Sequence, residues 1–177
     1  MLGKLKSLAL QGQITKNELL MVLNEDAKKL NFNDIVRCSL QIQQQAECIH
    51  TSYKKDFIKA ETELIIRILD VKNDNLQYTG QLDIEELNIA IDLLEEQEKM
   101  GEDIEEADPA FLRIYSIISL YTTFIKEEPI HQVGTPFPGG FQVKQEKDKY
   151  TCPVKKNNED NPLAVCPFCI AEQDEEV

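Results

Sequence analysis

Apolar residues recur every three or four positions from residue 2 to about residue 126, and then the period is lost. Leu2, Leu5 and Ala9 share one face of a short N-terminal helix. Thr15 followed by Glu18 is a capping box, and the helix behind it carries Leu19, Leu23, Ala27 and Leu30 on one stripe. Asn33 is placed to cap the next helix. From Ile35 the stripe runs through Cys38, Ile42, Ala46, Ile49, Tyr53, Phe57, Ala60, Leu64, Ile68 and Val71 with no Gly or Pro between. It reads either as one helix of about 55 Å or as two helices broken near Thr51 and Ser52. Ordinary helix lengths favour the break.

Residues 73–80 form a polar turn. Asp83 with Glu86 then resembles a capping box, and Ile84, Leu87, Ile91 and Leu94 face inward until Gly101. The acidic stretch 102–108 reads as solvated. Asp108-Pro109 is a helix start, with a capping carboxylate and then proline in the first turn. That helix runs to about Lys126. Phe111, Ile114, Ile118, Tyr121 and Ile125 lie on one face, with Ile117, Leu120 and Phe124 beside them. So wide an apolar arc predicts the central helix of a bundle.

After Glu128 the grammar changes. Every proline except Pro109 lies from Pro129 onward. Residues 141–143 and 149–154 alternate like short strands around Glu146-Lys147-Asp148, which predicts a hairpin. Residues 155–161 read as loop, and 172–177 as an acidic tail expected to fray.

Composition narrows the function. The 177 residues are 42% hydrophobic and 29% charged, as in globular proteins. Thirty-two carboxylates against 19 Lys and Arg give a net charge of -13. That field repels phosphate backbones and anionic membrane surfaces, so neither nucleic acid nor membrane is an expected partner. The default role of the charge is solubility. No apolar run approaches the roughly 18 residues of a membrane span. Lys4 and Lys6 before a short apolar patch resemble a signal peptide, but the patch is too short and lacks a small-x-small cleavage site. A cytoplasmic protein is predicted; the acidic charge is also compatible with an unknown, basic protein partner.

There are five cysteines, and Cys152, Cys166 and Cys169 crowd the C-terminal end. An odd count without an export signal argues against a disulfide framework. Cys166-Pro167-Phe168-Cys169 is a C-x-x-C pair. Cys152 is also followed by proline, and His131 lies just before a Gly- and Pro-rich loop. Together they make His-x20-Cys-x13-Cys-x2-Cys, three thiolates and an imidazole, which suits tetrahedral Zn²⁺. An iron–sulfur cluster is the alternative. A redox pair of thioredoxin type would need a strand–helix context that is absent here. Few large apolar residues serve residues 128–177, whereas ligation supplies on the order of 10 kcal/mol in small zinc modules.

The predicted fold is therefore mainly α: a helical bundle over 1–127 and a small, metal-stabilised β-hairpin and loop module over 128–177, packed on it. A closed Cys₃His shell points to a structural ion in a binding or assembly protein. An enzyme with an open metal site or a cluster between module and bundle is the alternative, with His131, Thr135 and Tyr150 near it. Two other patterns carry less. Residues 75–86 resemble a calcium loop, but Asn75, Gln77 and Thr79 are neutral where carboxylates are needed. Glu47-x-x-His50 is half of a di-iron motif without its second copy, which leaves His50 as a surface or boundary residue. Cys38 and Cys48 read as small packing residues.

The motif His131-x-Val-Gly-Thr-Pro-Phe-Pro-Gly-Gly-Phe141, then Tyr150-x-Cys-Pro-Val-Lys155, Asn161-Pro162 and Cys166-x-Phe-Cys169-x-Ala171-x-Gln173, resembles an uncharacterised family of archaeal, mainly methanogen, proteins: domain-of-unknown-function family 2115. Gln132 departs from the Pro expected there. The resemblance covers nearly the whole chain. It implies an archaeal, anaerobic, cytoplasmic setting and no established activity.

Overall fold

The computed structural model describes residues 1–102 and 108–176. The amphipathic stretches form α1 (Leu2–Ala9), α2 (Lys16–Ala27), α3 (Phe32–Gln45), α4 (Thr51–Ile66), α5 (Ile68–Asn73), α6 (Ile84–Glu102) and α7 (Pro109–Leu120). The protein is mainly helical, with a small strand region at its C-terminal end. The expectation of a solvated acidic stretch at 102–108 falls on 103–107, outside the described residues.

Local chemistry sets the helix starts. The Thr15 hydroxyl accepts the Glu18 N–H, and the Glu18 carboxylate accepts the Thr15 N–H at 2.8 Å. Asp83 caps α6 through the N–H groups of Glu85 and Glu86, and Asp108 caps α7 through that of Ala110. The cap of α3 is Asn31, not Asn33. The reason is reciprocity: Asp34, three residues after Asn31, returns the bond by accepting the Asn31 N–H at 2.7 Å, whereas the residue three after Asn33 is Val36.

The long apolar stripe is broken. Ile49 and His50 are extended, and the His50 imidazole accepts the Ser52 N–H to start α4. His50 is thus an exposed cap. Cys38 is buried on the stripe, but Cys48 is exposed, because the tighter 3₁₀ turn Ala46–Cys48 rotates it off the apolar face.

Helix α7 is central and touches α2 through α6. It continues into a π-helical turn, Tyr121–Lys126, and every residue from Ser116 to Ile125 is buried. The Thr122 hydroxyl donates to Ile118 O and Ser119 O, competing with the regular ladder where the turn widens. Glu127, left-handed at φ 53°, ends it.

The C-terminal region holds β1 (Pro136–Phe137) and β2 (Phe141–Gln142), an antiparallel pair turned by Gly139 and Gly140, both at positive φ. It also holds β3 (Lys144–Glu146), β4 (Lys149–Cys152) and β5 (Glu172–Gln173), in that order. The hairpin around 146–148 forms, but its first strand is β3; residues 141–142 fold back onto Pro136 and Phe137 instead. The acidic tail does not fray over 172–176. It pairs in parallel with β4, Asp174 N–H donates to Cys152 O at 3.0 Å, and the Asp174 carboxylate meets Lys144 Nζ at 2.9 Å.

The module is seated on the bundle. Phe124 and Phe168 stack at 6.3 Å, and Val165 and Phe168 join the helical core. Gln97 Nε2 donates to Pro162 O and Ala164 O, and Tyr53 OH donates to Pro136 O. None of the described helices is long and apolar enough to cross a membrane.

Candidate metal centre

Cys152 ends β4 and is buried. Pro153 has no N–H, so the first donors after Cys152 are Val154 and Lys155, and both backbone N–H groups point at the Cys152 sulfur. Such a nest favours a thiolate over a thiol. Cys166 and Cys169 bracket a 3₁₀ turn, closed by the Cys169 N–H donating to Cys166 O at 3.2 Å. Strand β5 follows that turn and pairs with β4, which sets Cys169 beside Cys152. The two join Val143 and Ala171 in one small cluster. Lys155 Nζ clamps the corner by donating to Cys169 O at 2.8 Å and Ala171 O at 2.6 Å.

Burial pushes the Cys166 thiol up to about 11 and raises that of Cys152 as well. The neighbouring thiols add to the rise in each case, while the Lys155 cation opposes it.

His131 is placed differently. Its Nε2 lies 4.0 Å from Glu61 Oε1 on α4, and the Phe137 ring stands edge-on to it at 5.5 Å. Phe137 also packs on the cluster around Cys152. Burial pushes the imidazole down to about 4, so it is neutral at pH 7, the form that ligates metals. Burial raises the Tyr115 hydroxyl, and Glu61, Cys166 and Cys169 all add to the rise. Cys152 and Cys169 share one cluster, Cys166 lies across the 3₁₀ turn from Cys169, and His131 faces Glu61. Among the described residues, no three His, Cys, Asp or Glu side chains are gathered into a ready-made cage. Tyr150 packs on the Cys152 cluster, and Thr135 serves the turn after His131 through its backbone.

Glu61, Tyr115 and Lys155 were not legible as site residues. Burial pushes the Glu61 carboxyl up to about 7. Its one signal was position: it follows Phe57 by four residues and precedes Leu64 by three, a carboxylate on an apolar face. Glu61 and Tyr115 also line a cleft of about 520 Å³, with Phe57, Phe111 and Leu163 as walls.

The fold and site define a class: a helical protein carrying a small, cysteine-rich, three-stranded module. Residues 15–174 match the family described as an uncharacterized protein conserved in archaea, DUF2115, and the chain belongs to that family. It is 36% identical over 165 residues to a UPF0305 protein of Methanothermobacter thermautotrophicus, covering 93% of this chain and 99% of the relative. A UPF0305 protein of Methanopyrus kandleri is 40% identical over 84 residues, 48% of this chain and 59% of the relative. One from Methanocaldococcus jannaschii is 26% identical over 164 residues, 90% and 97% of the two chains. No solved structure matches the chain.

Proposed function

We propose that Cys152, Cys166 and Cys169, with His131, hold a zinc ion that fastens the C-terminal module to the bundle. The protein then serves as a binding or assembly factor in the cytoplasm of a methanogen. The observation that supports this reading is the pairing of β4 with β5, which sets Cys169 beside Cys152, with backbone N–H groups of Val154 and Lys155 near the Cys152 sulfur. Three thiolates and one imidazole close a tetrahedral shell, which is the structural form of zinc site. The acidic surface favours a basic protein partner and disfavours nucleic acid.

One observation favours a second reading, a metal or iron–sulfur enzyme. Glu61 and Tyr115 place a carboxyl and a phenol in the wall of one largely apolar cleft of about 520 Å³, the kind of cleft that takes a small molecule. Metal analysis and an absorption spectrum of anaerobically purified protein separate the two ions. Amide exchange of Cys152→Ser separates the roles: loss of protection confined to 136–174 supports the structural reading. An ordered module that has lost binding of a cleft ligand supports the enzyme.

A further inference from the structure

We infer that the cleft of about 520 Å³ lined by α4 and α7 binds an organic ammonium: a primary amine on a short apolar body, its charged head held by Glu61 and Tyr115. The inference rests on the small-molecule part of the second reading above and needs no metal ion.

Two matched helix turns build the wall. Phe57 and Glu61 lie four residues apart on α4, and Phe111 and Tyr115 lie four apart on α7. Each helix therefore brings a ring and, one turn further on, a polar group to the same cleft. The Phe111 and Tyr115 rings are stacked, 6.2 Å apart and 13° from parallel. Leu112 and Leu163 extend the apolar lining. Among the described residues, neither the Glu61 carboxylate nor the Tyr115 hydroxyl makes a hydrogen bond. His131 Nε2, at 4.0 Å from Glu61 Oε1, stands too far off for one. The Glu61 side chain is only 18% exposed, so its carboxylate has given up much of its hydration without gaining a donor.

The lining selects the charge of the ligand. Among the described residues no lysine or arginine lines the cleft, so an anion would meet a carboxylate with nothing to offset it. A wholly apolar ligand would cover that carboxylate and leave it with neither water nor partner. An ammonium meets both demands. Its N–H groups donate to the carboxylate in charge-assisted bonds, and its charge is attracted to the faces of aromatic rings such as Phe57, Phe111 and Tyr115. A quaternary head has no N–H to offer, so the unpartnered carboxylate favours a primary one. The cleft is far larger than that head, and its apolar walls call for an apolar body behind it. The net charge of -13 raises the local concentration of cations in the same sense.

The test titrates the wild-type protein with phenethylammonium, followed by its backbone amide spectrum, beside two probes with the same phenylethyl body: phenethyl alcohol, which is neutral, and hydrocinnamate, which is anionic. Phenethylammonium is expected to shift the amides of 57–61 and 111–115 saturably and to bind about 10-fold or more tightly than either companion. In Glu61→Gln, which keeps the side chain's size, that advantage over the alcohol is expected to vanish. Equal binding of the three probes by the wild type, which needs no variant, overturns the inference while leaving a small-molecule cleft in place. Unchanged affinity in a folded Glu61→Gln does the same. A wild type whose cleft amides respond to none of the three defeats the small-molecule reading and this inference with it. The zinc reading is decided separately, by metal analysis.

Discussion

The helical bundle buries one continuous core from Leu2 to Ile130, whereas the module's own core consists of Val143, Cys152 and Ala171. The bundle's helices are amphipathic, capped and mutually covering. The module's strands are two to four residues long, and of their side chains only Cys152 is buried. Ordering a residue costs about 1–2 kcal/mol in backbone entropy. The bundle offsets this with apolar burial. The module relies on borrowed contacts such as Phe168 against Phe124, to which the proposed ion would add. The contrast shows two regions of one chain stabilised by different physics, and it sets where each perturbation acts.

The largest effect is expected in the bundle. Ile117 on α7 is fully buried, and Ile117→Ala removes about 2–5 kcal/mol of global stability by leaving a cavity. Chemical denaturation would show a lower midpoint for the whole chain; loss confined to one helix would break the picture of a single helical core.

Next comes the module. Chelation is expected to raise amide exchange by 10-fold or more across 136–174, while α2, α6 and α7 keep their protection. Uniform loss across both regions would mean that the module is integral to the bundle's stability.

A smaller effect tests electrostatics inside the bundle. Burial alone would raise the Asp26 carboxyl, but the forked Arg113 contacts at 2.7 and 2.8 Å and Lys29 at 2.9 Å outweigh it and hold it below the usual range. Its contribution is therefore complete above pH of about 4 and is lost as pH falls through the depressed value. Asp26→Asn should cost about 1–3 kcal/mol at neutral pH and flatten the acid limb of the stability curve. An unchanged acid limb would remove Asp26 from the account. The smallest expected effect is at the cap of α2, where Thr15→Ala should cost about 1 kcal/mol by thermal melting. No change there would mean that the bridge between residues 15 and 81 holds the helix start alone.

How much of this was written in the sequence differs between the two regions for the same reason. Helices depend on neighbours three and four residues away, so Thr15, Asp83 and Asp108-Pro109 marked their starts. The break at Ile49 and His50 was harder to place, because it rests on an imidazole cap in place of Gly or Pro. Strand pairing in the module is long-range: nothing near Glu172 announces that it lies beside Thr151, and the acidic tail read as frayed. Cysteine spacing marked Cys152, Cys166 and Cys169 as candidate ligands, but the turn of His131 toward Glu61 depends on how α4 packs, which periodicity does not encode.

The most direct test of the account is the metal content and coordination of untagged protein, purified without oxygen, by elemental analysis and X-ray absorption at the metal edge. The account predicts one zinc per chain with three sulfur neighbours and one nitrogen, lost together with module protection in Cys152→Ser. Protein that is fully ordered over 136–174 yet carries no stoichiometric transition metal would contradict it.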